Sequence, residues 1–247
     1  MYGTRYGASI IGLIHDNGRR LVGVRVRNID YKGRVNATEL WFHANVTSDF
    51  SGDLVVERNA KVVLANLTAS PSISTRRIRV NGGTLYTYMS NQISREATVS
   101  LHSGGAFHLG IKAGSVEHFK ELDVYGSGVI DFQTHTWGHG KQRGERSLFL
   151  NDLSLSSGSE LFVKNWENGP HHIFVKKSTT TYWKLYDYLS RIKFEGFGGW
   201  AGLRTAYKEG EMYWEIYGQI PEPSAYGAAF GAVGLVLALW SKKRRTS

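Results

Sequence analysis

Apolar residues recur at every second position in short runs along most of this chain, and each run ends in a cluster of Gly, Ser or Asn. The clearest stretch is Arg77 to Gly110. Ile78 and Val80 alternate with polar neighbours ahead of Gly82-Gly83, and Leu85 follows; Val99 and Leu101 precede Gly104-Gly105, and Phe107 and Leu109 follow. Period-two alternation on both sides of a Gly pair predicts half-buried strands joined by a tight bend. The unit recurs. Leu122 and Val124 precede Gly126-Ser127-Gly128, with Ile130 and Phe132 beyond; Leu153 and Leu155 precede Ser157-Gly158-Ser159, with Leu161 and Val163 beyond. Upstream, Leu54 and Val56 precede Asn59, and Val62 and Leu64 follow. The turn centres at Asn59, Gly83, Gly105, Gly128 and Gly158 are spaced by 24, 22, 23 and 30 residues. Repeats of this length predict stacked coils, each too small to cover its own apolar face. The expected class is all-β, a solenoid over residues 51–164. The alternative is a Greek-key or jelly-roll β-sandwich, which gives no reason for turns to return at so even an interval.

The ends depart from the repeat. Residues 1–50 show strand-like runs around Val22, Val24, Tyr31 and Trp41 without a clear period. From Asn165 to Ile220, Leu185, Leu189 and Ile192 are spaced by four and three, which predicts one short amphipathic helix. Ile192–Phe194 and Met212–Ile216 read as further strands, and Trp166, Trp183, Trp200 and Trp214 concentrate bulk there. Residues 165–220 are therefore expected to form an aromatic-rich cap that shields the last coil's open edge.

Beyond Ile220 come a stiff Pro221-Glu222-Pro223 step, the uncharged stretch Ala225–Trp240, and Lys242, Lys243, Arg244 and Arg245. As a helix the stretch would span roughly 24 Å, short of the ~30 Å hydrocarbon core. Small residues including Ala225, Gly227 and Gly231 fill its first half beside Tyr226; Leu235, Leu237, Leu239 and Trp240 fill its second. Such a C-terminal hydrophobic helix suits transient rather than permanent anchoring, and the basic cluster holds its end on the cytoplasmic side.

Residues 221–245 resemble the PEP-CTERM sorting signal of exported bacterial proteins, with all three parts in order. The resemblance implies an exosortase-type membrane peptidase as partner, transient residence in the inner membrane, and delivery to the envelope or surface of a Gram-negative-type bacterium. The residues then act by role: Pro221 and Pro223 keep the recognition site extended, Glu222 gives it charge, Ala225–Trp240 places it at the membrane, and Lys242–Arg245 fixes orientation. Arg77 to about Val163 is similar to the autotransporter-associated β-strand repeats of surface passenger domains. That likeness implies a right-handed parallel β-helix. Export also needs a leader, yet Met1–Arg20 holds only the short apolar run Ala8–Ile14 and no small-residue cleavage site. The expectation is that the chain lacks its natural N-terminal portion.

The formal charge is +9, from 30 Lys and Arg against 21 Asp and Glu, and Cys is absent. Most cations alternate with apolar residues, as in Val24-Arg25-Val26-Arg27, which is the look of outward strand positions and no nucleic-acid footprint. Without Cys, stability must come from backbone pairing and packing. Asp131, His135 and His139 could face one way if extended, giving a weak zinc candidate; their Gly- and Lys-rich flanks favour a loop insertion, and no metal or cofactor is expected. His171-His172, after Gly169-Pro170, reads as a solvated pair. Asp123 and Asp131 sit on one coil, but no second carboxylate is expected in register on a neighbouring coil, with His102 and Thr84 at comparable turns. The sequons at Asn36, Asn45 and Asn66 read as chance matches. The chain is expected to be a non-enzymatic surface or matrix protein, with exopolysaccharide as a possible partner. The alternative is a polysaccharide-binding or polysaccharide-cleaving protein delivered by the same tail.

Overall fold

The computed structural model describes residues 7–10, 23–26, 38–42, 48, 52–67, 71–110, 114–132, 144–199 and 201–219. Among them the chain is built of two large sheets and one short helix, α1 (Tyr182–Leu189). The eight-stranded sheet holds, in spatial order, β1 (Gly7–Ile10), β3 (Thr38–Phe42), β5 (Ala60–Leu64), β7 (Thr84–Thr87), β9 (Gly105–His108), β11 (Ser127–Asp131), β13 (Glu160–Lys164) and β15 (Ile192–Phe194). The nine-stranded sheet begins with β2 (Gly23–Val26), β4 (Asp53–Val56), β6 (Arg77–Asn81) and β8 (Thr98–His102). It continues with β10 (Val116–Tyr125), β12 (Arg146–Leu155) and β14 (His171–Lys176). At its far end β14 pairs with β17 (Glu211–Gly218), and β17 with β16 (Ala201–Lys208). Those two pairings are antiparallel; every other pairing within the sheets is parallel. Successive strands thus alternate between sheets through β15. An antiparallel sandwich does not have this order.

Register explains the alternating sequence. Inward residues of neighbouring strands fall opposite one another, so like sits on like. Leu40, Val62, Leu85, Phe107, Ile130, Val163 and Phe194 form one continuous row on the inner face of the eight-stranded sheet. Leu54, Ile78, Val99, Leu122 and Leu153 form the facing row, and all five are fully buried. Burying each such side chain contributes about 1.5–3 kcal/mol. The opposite positions, such as Arg77, Arg79, Thr98 and Ser100, point outward and leave one face of the sheet polar.

The turns between facing strands make two separate demands on small residues. The residues that take left-handed backbone are Asn59 (φ 62°), Gly82 (φ 70°), Ser103 (φ 52°), Gly104 (φ 82°), Gly126 (φ 82°) and Gly158 (φ 71°). Ala60, Gly83, Gly105 and Gly128 come next or nearly next and are buried at the start of the odd-numbered strands; a Cβ on any of the three glycines would crowd Val56, Glu57 and Ala60, Val80, or Leu101 and Val124 respectively. Gly83, Gly105 and Gly128, read from the sequence as turn centres, are therefore needed for space rather than for φ.

Upstream of β10, the connections from each odd-numbered strand to the next even-numbered one form a third side with little sheet. Among the described residues it is linked there by isolated parallel bridges, Ser48 to Ile73 to Ile93. Backbone amides there find side-chain acceptors instead, as buried polar groups must. The Asn66 N–H donates to Gln92 Oε1 (2.7 Å) and to Ser72 Oγ (3.1 Å), while the Gln92 and Ile93 N–H groups donate to the Glu117 carboxyl (2.8 and 3.3 Å). Asn66 is fully buried in this column, which fits a chance sequon and no glycosylation site.

The strand β10 turns a corner onto that side. Glu117 and Phe119 point inward, Lys120 and Glu121 both donate to the Ala97 carbonyl (2.9 and 3.4 Å), and Leu122 and Val124 point inward again. Near the other end of the sheet, the β16–β17 hairpin turns through Glu209 (φ 50°) and Gly210 (φ 80°), a pair of positive φ values that suits a two-residue hairpin turn. Its tip curls back over the sheet, so that Glu209 Oε2 reaches His118 Nε2 on β10 at 3.0 Å. Phe149, Phe174 and Tyr213 are buried together under this flap as a second, smaller apolar cluster.

Candidate functional site

Asp131 ends β11 and is nearly buried. The Asn165 side-chain amide donates to its Oδ1 at 2.7 Å, and His108 Nε2 lies 3.6 Å from its Oδ2. His108 in turn packs on the Tyr86 ring (4.2 Å between centroids). Asp131 is thus engaged across neighbouring strands. His135 and His139 lie outside the described residues, as do Pro221–Pro223, Ala225–Trp240 and Lys242–Arg245. Among the described residues no group of three His, Asp or Glu side chains is arranged to hold a metal ion, and no helix is long and apolar enough to cross a membrane.

Two expectations about polar residues are corrected. His171 and His172 are both buried, not solvated. His171 stacks on Phe132 (4.8 Å), and its Nδ1 accepts from the Glu167 N–H at 2.9 Å. Burial first, then the Arg146 guanidinium, pushes its pKa down to about 4, so it stays neutral. The turn at Gly169-Pro170 delivers the pair straight into β14 beside β12, which period-two reading alone did not place.

Carboxylates also recur in register after all. Glu121 of β10 sits opposite Asp152 of β12, with Asp123 two residues along on the same outward face. Asp152 is saturated: Lys184 Nζ approaches it at 2.7 Å, and the Thr180 hydroxyl donates to it at 2.7 Å. Asp123 is pushed up to about 6, by burial first and then by Glu121, with which it shares a hydrogen bond. Asp123 can therefore take up a proton in mildly acidic solution. It lies on the broad outer face of the sheet, with Asp152 already bound by its own cation. The parity shift at Lys120–Glu121 hid this alignment from the sequence.

A stronger cluster lies beside the hairpin. His172 Nδ1 is 2.7 Å from Glu215 Oε1, and Arg204 donates to both oxygens of the same carboxylate (2.7 and 2.9 Å). Burial alone would raise the Glu215 pKa; the hydrogen bonds from His172 and Arg204 outweigh it and hold the group at about 2. The arrangement pins β17 to both β14 and β16. A carboxyl lowered from 4.5 adds stability that is complete above pH 4.5 and is lost as pH falls toward 2. Glu215→Gln is expected to lower the thermal midpoint at pH 7, by the equivalent of about 2 kcal/mol. The two proteins should then converge as the solution is acidified. A gap independent of pH would mean that the charge contributes nothing.

The comparisons with known proteins leave this geometry to stand by itself. No family model, curated protein or solved structure matches the chain. What remains near the hairpin is an open cavity of about 900 Å³ between α1, the turn after β15, and the β16–β17 hairpin. The sequence signal for it was only the concentration of Tyr and Trp after residue 165.

Proposed function

We propose that this chain is a non-enzymatic exported protein of a bacterial surface or matrix. In this reading its body is a right-handed parallel β-helix closed by an aromatic-rich cap, and its last residues are a sorting tail. The alternation of strands between two parallel sheets supports the body, and right-handed crossing is the overwhelming habit of parallel connections. Stacked coils suit a stalk or matrix element, because each added coil extends the molecule without needing a new core. The antiparallel hairpin ends the nine-stranded sheet on β16, whose largely exposed side chains, Arg204, Thr205 and Lys208 among them, make a poor template for pairing with other chains.

The observation that carries the function is the order of Pro221-Glu222-Pro223, Ala225–Trp240 and Lys242–Arg245 in the sequence. An exosortase-type membrane peptidase would read the extended Pro-Glu-Pro step while the apolar stretch sits in the inner membrane. The full chain, expressed behind a secretory signal peptide in a bacterium with such a peptidase, is expected to lose its C-terminal segment and reach the cell surface. Pro221→Ala combined with Pro223→Ala should leave it intact and membrane-bound. The same cleavage in a strain lacking the peptidase, or indifference to both substitutions, would overturn the reading.

A further inference from the structure

The helix α1 is held in an unusual attitude. Thr181 caps its first turn by accepting from the Lys184 N–H (3.3 Å), Lys184 Nζ ties it to Asp152 of β12, and Leu185 alone among its residues is buried in the core. Tyr188 packs against that core, and the other three large rings face away from it. Tyr182, Trp183 and Tyr186 are 37 %, 71 % and 52 % exposed, although burying them would be the default for such area. Tyr182 and Tyr186, one turn apart, lie with centroids 5.6 Å apart and planes within 26°. Trp214 fixes Tyr182 from behind at 5.4 Å.

These two rings line one wall of the 900 Å³ cavity, and Tyr217 lines it from β17. The Tyr217 ring lies directly on Gly202, where a Cβ would come within 2.5 Å of it, and the Arg204 guanidinium covers it at 5.0 Å. Tyr182 and Tyr217 are therefore set before anything binds, and Tyr186 leans on Tyr182 and Trp183. Between them the lining offers Asp187, Ser190, Lys193 and Gln219. Its one carboxylate and one ammonium cancel, so the cavity favours a polar ligand without net charge. Flat aromatic faces meet the apolar C–H faces of a sugar ring, while the hydroxyl, amide and charged groups meet its hydroxyls.

We propose that the cavity between α1 and the β16–β17 hairpin binds a neutral oligosaccharide, with Tyr182 and Tyr186 as its stacking platform. The assignment holds whether or not the C-terminal tail is processed. Isothermal titration of the full chain with cellohexaose, chitohexaose and mannohexaose tests it, with hexagalacturonate and an apolar naphthalene dye as comparisons. At least one neutral hexasaccharide is expected to bind, and Tyr182→Ala and Tyr186→Ala are each expected to weaken it about tenfold. Tyr186→Phe, which keeps the ring, should retain most of the affinity and guards against a folding artefact. Tyr207→Ala, an exposed ring on β16 outside the cavity lining, should leave binding within about twofold. Absence of binding by all three neutral sugars at millimolar concentration would overturn the assignment. So would binding of only the acidic sugar or only the dye, or neutral-sugar affinity unchanged when both tyrosines are replaced.

Discussion

Gly105→Ala is expected to destabilise the protein by about 3 kcal/mol or more, seen as a large drop in the midpoint of thermal or denaturant unfolding. A Cβ at this position would lie 2.1 Å from the carbonyl oxygen of Val80 and 3.0 Å from its carbonyl carbon. Both are backbone atoms of the strand feeding the previous turn, and Val80 is itself fully buried between Val56 and Leu101. No rotamer change relieves such a contact. The coil must open, and opening it separates Phe107 from Leu85 and Ile130. Gly126→Ala is the matched comparison. Gly126 has φ 82° but nothing within 4 Å of where its Cβ would be, so only the left-handed backbone resists substitution, at about 1–2 kcal/mol. Equal losses at the two positions would show that backbone angle, and not the closeness of the coils, sets the requirement for glycine.

That contrast shows how far the sequence could be read. Alternation around Gly83, Gly105 and Gly128 located the strands because each strand buries one face and turns the other outward, and the period survives parallel pairing. The roles of the glycines were not legible. The left-handed residue is the neighbour, Gly82 or Gly104, and the close approach involves a carbonyl from another coil. Residues that break the two-residue period were read least well. Lys120 and Glu121 are consecutive outward residues at a corner, so the alignment of Glu121 with Asp152 was missed. In the β16–β17 hairpin only Met212–Ile216 was anticipated, because β16 exposes most of its side chains and lacks an apolar rhythm. Leu189, expected on the buried face of the helix, is only half-buried, and the helix ends there because Ile192 enters β15. Of the polar column Asn66, Ser72, Gln92 and Glu117, only Asn66 stood out in the sequence, as a chance sequon. The column's burial follows from a property no local pattern carries: the third side of the coil has too little sheet to satisfy its own amides.

Glu117 turns that property into a measurable pH dependence. Complete burial drives its pKa upward, the Gln92 and Ile93 N–H groups oppose the shift, and the balance leaves it at about 8 against an ordinary 4.5. Between those values the folded chain keeps a proton that the unfolded chain has released. Stability is therefore greatest below pH 4.5 on this account, declines as pH rises toward 8, and carries the full penalty beyond it. The gap corresponds to a loss on the order of a few kcal/mol. Glu117→Gln removes the titration while keeping a side-chain oxygen to accept from Gln92. The variant is expected to unfold at a higher temperature than the unaltered protein at pH 9, with the advantage shrinking steadily and vanishing near pH 4. Chemical-denaturant unfolding at pH 4, 7 and 9 measures it directly. Parallel curves for the two proteins would mean that Glu117 is already ionised inside the fold, held by its amide donors alone, and the interior of the third side would then have to be far more polar than its packing implies.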